Sequence, residues 1–123
     1  MNYDTDAYET SEAQGWSPAE RVRDLNDVLR KTGFGGKTYL SRGVIAKGDA
    51  FTEKACTAVR AFDAFTENNA PWQEHDCATL EVDGVAVIFK IDYYDVDMNE
   101  MSSDPADPAA TRRVLTIMLA EEY

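Results

Sequence analysis

The stretch HDCATLEVDGVAVIFKIDYYD, residues 75–95, decides the fold. Two runs of β-branched and aromatic residues flank Asp83-Gly84, a pair suited to the left-handed backbone of a tight type I′ hairpin turn. A two-residue turn fixes the register. Val82 then faces Val85, and counting outward puts Leu80 against Val87, Ala78 against Phe89 and Asp76 against Ile91 on one side. The other side pairs Glu81 with Ala86, Thr79 with Ile88, Cys77 with Lys90 and His75 with Asp92. The first side is apolar and needs a layer of helices to bury it.

Those helices are sought on either side of the hairpin. Upstream, Phe51, Ala55, Ala58, Val59, Phe62 and Phe65 recur at helical spacing, which predicts a helix over 49–68 that ends before Pro71, with Trp72 covering the edge of the core. Further upstream, SPAERVRDLNDVLRKTG offers Ser17 as N-cap, Pro18 at the first position, Glu20 for a capping box and Gly33 as a stop. Val22, Leu25, Val28 and Leu29 form its apolar stripe, so a helix is predicted over 17–32. Between these, residues 38–45 read as a strand with a weak point at Gly43. Downstream, Asp107 and Pro108 look like a helix start, and Val114, Leu115, Met118 and Leu119 like its stripe, predicting a helix over 107–121. The fold class expected is α+β: a single domain over 16–123, order α-β-α-β-β-α, with three helices packed on a small sheet. Leu25, Leu29, Val59, Phe62, Leu80, Val87, Phe89, Leu115 and Leu119 should form its core.

Composition fits such a domain. The 123 residues are 44% apolar and 11% aromatic, enough for a core without staples. Cys56 and Cys77 are isolated, which fits reduced thiols rather than a disulfide or zinc framework. Residues 1–15 carry no basic region and no apolar run, so no signal peptide or membrane span is expected and a cytoplasmic setting follows. They read instead as an acidic tail that orders only against a neighbour.

The net charge of −11 is unevenly placed. Asp4, Asp6, Glu9 and Glu12 in the tail, with Asp92, Asp95, Asp97, Glu100, Asp104 and Asp107, supply −10 of it without a single Lys or Arg in either segment. Localised acid repels nucleic-acid phosphates and attracts cationic surfaces, so those last six residues are the candidate partner-binding set and the partner expected is a basic protein, not nucleic acid or membrane.

Chemistry is harder to find. GFGGKT, residues 33–38, has the Gly-Lys-Thr of a phosphate loop, but Lys31 stands where the first glycine is required and the order is helix then strand, the reverse of that loop. Asp95, Asp97 and Asn99 open like a calcium loop, yet Glu100 occupies the position of the turn glycine and Ala106 that of the bidentate glutamate. A divalent cation held by Asp92, Asp95, Asp97 or His75 stays open at this point, with no metal, cofactor or catalytic residue assigned. In EHDC, residues 74–77, His75 across from Asp92 with Cys77 on the same face suggests a Cys/His or metal-dependent enzyme as an alternative reading. A regulatory homodimer subunit is a third.

RAFDAFTENNAPWQEHD, FKIDYYD, DPADP and above all RVLTIMLAEEY resemble an uncharacterised family, a domain of unknown function, over roughly Arg21 to Tyr123. The resemblance implies small alphaproteobacterial proteins often carried on plasmids and other mobile elements, with no established site residues to carry over. It also implies a setting: an inhibitor of host defence, of anti-CRISPR or anti-restriction type, whose acidic surface imitates nucleic acid.

Overall fold

A computed structural model describes residues 17–66 and 73–123. The tail and the Pro71-Trp72 corner lie outside the described residues. The elements run α1 (Pro18–Thr32), β1 (Gly36–Leu40), α2 (Arg42–Ala46), α3 (Asp49–Ala61), β2 (Cys77–Val82), β3 (Val85–Tyr94) and β4 (Arg112–Leu119), closed by a 3₁₀ turn at Ala120–Glu122. Among the described residues three helices and a four-stranded mixed sheet make an α+β domain, as expected. The sheet order is β1-β4-β3-β2, with β1 parallel to β4 and the other pairs antiparallel.

The hairpin keeps the expected register from Val82 opposite Val85 to Cys77 opposite Lys90, and the Ile91 N–H donates to the Asp76 carbonyl at 2.7 Å just beyond the ladder. Burial alternates along β3, with Val87, Phe89, Ile91 and Tyr93 turned to the helices.

The closing segment is a strand, not the helix expected over 107–121. The Asp107-Pro108 start signal is used up in one turn: Asp107 Oδ1 accepts from the Ala109 N–H at 2.9 Å and its carbonyl from the Ala110 N–H at 3.1 Å. The apolar run that follows enters the sheet between β1 and β3. Side chains on both faces of this central strand are mostly buried, Val114 and Met118 on one side and Leu115, Ile117 and Leu119 on the other, so its sequence reads as a near-continuous apolar run that helical and strand periodicities fit alike. Arg113, Leu115, Ile117 and Leu119 take the helix side, Val114, Thr116 and Met118 the other.

The strand expected over 38–45 divides. Ser41 leaves β1, and its hydroxyl accepts from the Val44 N–H at 3.2 Å to cap α2. A carboxylate oxygen of Glu122 accepts from the Gly43 N–H at 3.0 Å, so close that an added Cβ would sit 2.5 Å from the carboxyl carbon. The helix expected over 49–68 ends at Ala61. Arg30 of α1 takes up the terminal carbonyls there, its Nη1 donating to Val59 at 2.9 Å, Arg60 at 3.3 Å and Phe62 at 2.7 Å. A guanidinium at a helix C-terminus satisfies carbonyls that a further turn would otherwise use. Phe62 and Phe65 then pack edge-on against Phe89.

Of the expected core, Leu29, Val59, Val87, Phe89, Leu115 and Leu119 are buried, while Leu25, Phe62 and Leu80 are half-buried. The stripe of α1 is rotated from the expected one: Val22, Asn26, Leu29 and Arg30 are buried, and Val28 is exposed. Among the described residues no helix is long and apolar enough to cross a membrane.

Candidate functional site

Rotating α1 puts two polar side chains under it. Asn26 is fully buried, and its Nδ2 donates to the Tyr93 hydroxyl oxygen at 2.7 Å and to the Glu74 carbonyl at 3.0 Å. Its Oδ1 accepts from Arg113 Nε at 2.9 Å, while Arg113 Nη2 donates to the Pro105 carbonyl. The Tyr93 hydroxyl donates to Glu74 Oε1 at 2.9 Å, and the Arg113 guanidinium lies 5.3 Å from the Tyr93 ring centre. One helix, two strand ends, residue 74 and the loop at Pro105 are thereby joined through Asn26. Such a network is stabilising only when each member is satisfied, and here each of these contacts has a partner.

Burial is the main force on the ionisable members. It pushes the Tyr93 hydroxyl well above the ordinary tyrosine range, with the Glu74 charge adding to the rise and the Asn26 hydrogen bond opposing it. It also pulls Arg113 down, reinforced by the nearby Arg21 cation and opposed by Tyr93 and Glu74.

A second cluster lies one helical step away. Arg30 Nη2 donates to Asp27 Oδ1 at 3.1 Å, and His75 Nδ1 lies 3.0 Å from the same oxygen. The imidazole stacks on Phe65, centroids 3.9 Å apart and planes within 5°, and Arg30 sits over Phe65 and Phe89. His75 therefore does not stand across from Asp92. Gln73 and His75 both take left-handed backbone, φ +59° and +56°, so the chain leaves the strand path before the ladder reaches them, and the imidazole swings into the helix layer. Cys77 remains on the helix-free face, opposite Lys90, and is exposed. Partial burial, with the Asp76 charge beside it, raises the Cys77 thiol above its ordinary value and so reduces the thiolate that nucleophilic attack requires. The grouping of His75, Asp92 and Cys77 is not assembled.

Asp92 pairs instead with Lys90, its neighbour two along on the same face. The other expected partner-binding acids lie in the loop between β3 and β4. That loop first doubles back: Asp95 N–H donates to the Glu100 carbonyl at 2.9 Å, Ser102 N–H to the Tyr93 carbonyl at 2.9 Å, and Met101 bridges to Tyr94. Three of the carboxylates hold backbone amides, Asp95 Oδ1 that of Asn99 at 3.0 Å, Asp104 Oδ1 that of Ala106 at 3.2 Å and Asp107 Oδ1 that of Ala109. Asp97 and Glu100 are exposed. Among the described residues no three His, Cys, Asp or Glu side chains converge as a metal site would require.

A family model described as protein of unknown function, DUF3768, matches residues 40–122. The chain belongs to this family. No curated protein and no solved structure matches it. The matched segment contains the hairpin, the acidic loop and β4, hence Glu74, Tyr93 and Arg113, whereas Asn26, Asp27 and Arg30 on α1 precede it. The resemblance seen from Arg21 onward is thus matched from residue 40.

Asn26, Arg30, Tyr93 and Arg113 were not among the residues singled out from the sequence. The signal for the first two is their spacing: Val22, Asn26, Leu29 and Arg30 share one helical face, a polar pair inside an apolar stripe. For Arg113 the signal is period two, since Arg113, Leu115, Ile117 and Leu119 alternate along a strand.

Proposed function

We propose that this protein is a non-enzymatic interaction protein that presents acidic surface to a basic protein partner in the cytoplasm. The observation carrying this reading is the segregation of charge: Asp92, Asp95, Asp97, Glu100, Asp104 and Asp107 follow one another with no Lys or Arg in the segment. Turn hydrogen bonds to Asp95, Asp104 and Asp107 hold carboxylates at defined places in the loop without neutralising them. Fixed, solvated charge of one sign steers association with the opposite sign. The resemblance to proteins of alphaproteobacterial mobile elements supports the finer form of the proposal, an inhibitor of host defence that occupies a nucleic-acid-binding surface by imitating phosphates.

The test begins with capture of partners from a host lysate at low and at high salt, followed by competition with DNA and RNA. Changing Asp95, Asp97 and Asp104 to Asn and Glu100 to Gln keeps the turn-forming oxygens and removes four charges. The variant should associate with the captured partner more slowly, with a flatter salt dependence, and should fold as the wild type does. A partner bound equally well by the neutralised variant, or undisturbed by nucleic acid, would refute the corresponding part of the proposal.

A further inference from the structure

The described helices cover one face of the sheet. On the other, a groove of about 460 Å³ lies where β1 and β4 begin, walled by the loop between β3 and β4. Its floor is built from Gly36, Lys37, Arg112 and Val114; Lys37 is the direct pairing partner of Val114, and Arg112 shares that side of β4. Met98 and Pro108 reach it from the loop. Its size falls within the range of small-molecule sites.

The charge of this groove is opposite to that of the protein. The whole chain has 23 acids to 12 bases, yet among the described residues no Asp or Glu lines the groove, while Lys37, Arg112 and Arg113 do. Arg113 is committed to Asn26 and Pro105 on the helix side and contributes backbone here. Lys37 and Arg112 are exposed, and among the described residues neither forms an ion pair. Three acids of the same loop, Asp95, Asp104 and Asp107, hold backbone amides of the loop itself.

Apart from Thr111, whose hydroxyl donates to the Asp104 carbonyl, the rest of the lining is glycine and apolar side chains. Met98 is 47% exposed and held at φ +60°, a conformation uncommon for a non-glycine residue, and Phe34, one residue before the groove's Gly35, is 75% exposed. Val114 is 7% exposed on the face away from the described helices. Gly36 brings β1 so near β4 that an added Cβ would lie 2.4 Å from the Arg113 carbonyl oxygen, so this part of the floor carries no side chain.

Two cations with no ion pair among the described residues, beside the apolar Met98, Pro108 and Val114, select a ligand with one anionic group and an apolar body. We propose that this groove binds a small amphiphilic anion, a carboxylate or phosphate monoester, with the anionic group held by Lys37 and Arg112 and the apolar body against Met98, Pro108 and Val114. This inference is independent of the acidic-surface reading, because it uses none of those carboxylates.

The experiment is a two-dimensional amide NMR titration of the full chain with 4-phenylbutyrate, with phenethyl phosphate and with neutral 4-phenylbutanol. At least one anion should give saturable shifts confined to the amides of residues 35–37, Met98 and 111–114; which one saturates distinguishes the carboxylate from the phosphate source. The Lys37→Gln, Arg112→Gln double variant, both positions being on the surface, should keep the wild-type spectrum elsewhere and bind that anion about tenfold or more weakly, as loss of charge-assisted hydrogen bonds requires. No saturation with either anion, equal binding of the neutral alcohol, or unchanged affinity in the double variant would overturn the proposal.

Discussion

The helix-covered face of the sheet has two ends built on opposite principles. Around Phe89, Val87 and Leu119 the contacts are apolar, supplied by Phe62, Phe65 and, in the same cluster, Val44 and Ala55. Around Tyr93 and Arg113, paired directly across β3 and β4, the same face carries a hydrogen-bonded network through Asn26. The apolar end gains stability from area removed from water and tolerates small shifts. The polar end tolerates none, since each lost partner leaves a buried group unsatisfied. That difference assigns separate tasks: the apolar end holds the layers together, and the polar end fixes where α1 sits relative to residue 74 and the loop at Pro105.

The largest effect expected comes from the apolar end. Phe89→Ala removes a fully buried ring and should cost ~3–5 kcal/mol in denaturant unfolding, a large share of a typical domain's stability. Near-wild-type unfolding would show that the ring is not the centre of this packing.

Arg113→Met probes the other end. It leaves Asn26 Oδ1 and the Pro105 carbonyl without their donor, and a loss of about 2–4 kcal/mol is expected. Adding Asn26→Leu removes the stranded acceptor but also the donor to Tyr93 and to the Glu74 carbonyl, so the double variant should lose less than the sum of the two single losses; the coupling is read from a double-mutant cycle. Stability gained in the single Arg113→Met variant would mean that the network is held against its own desolvation cost, as some buried charges are.

Tyr93→Phe sharpens the comparison further, deleting one hydroxyl that both accepts from Asn26 and donates to Glu74. The expected loss is ~1–2 kcal/mol, with no change in the hairpin register by NMR.

The smallest effect lies outside both ends, at Glu122. Hydrogen bonds from Ser41, then from the Leu119 and Gly43 amides, hold this exposed carboxyl below its ordinary value of 4.5. A carboxyl lowered in the folded state adds stability above its unfolded value and loses that contribution as pH falls through the folded one. The melting difference between wild type and Glu122→Gln should therefore be present at neutral pH and shrink as pH falls below the ordinary carboxylate range. Gly43→Ala displaces the same carboxylate, so the two substitutions together should cost less than their sum.

How far these features could be read in advance follows from how local their causes are. The hairpin was readable because Asp83-Gly84 dictates its own turn, and the start of α1 because Ser17 caps it within one turn, the Glu20 N–H donating to its hydroxyl at 3.1 Å. The end of α3 was not, because the group that takes its last carbonyls, Arg30, is about thirty residues away in the chain. β4 was misread because apolar, buried side chains on both of its faces blur the alternation that marks strands. His75 is the same lesson at one residue: its type and neighbours advertised chemistry, but its position depends on two left-handed residues and on Asp27 in α1. The acids of the loop between β3 and β4 were evident as charge, whereas their use as turn acceptors required the backbone.

The sheet order sets a timetable for assembly. β4 lies between β1 and β3 yet is synthesised after both, so a nascent chain that has completed its hairpin still lacks the strand that joins β1 to the rest. Until then β1 and β3 each present an unpaired edge, and the parallel contact between Thr38 and Leu115 must close a long stretch of chain. Folding of the sheet is consequently completed only when β4 joins, and the interval before β4 emerges is when the chain is most open to pairing with the wrong partner.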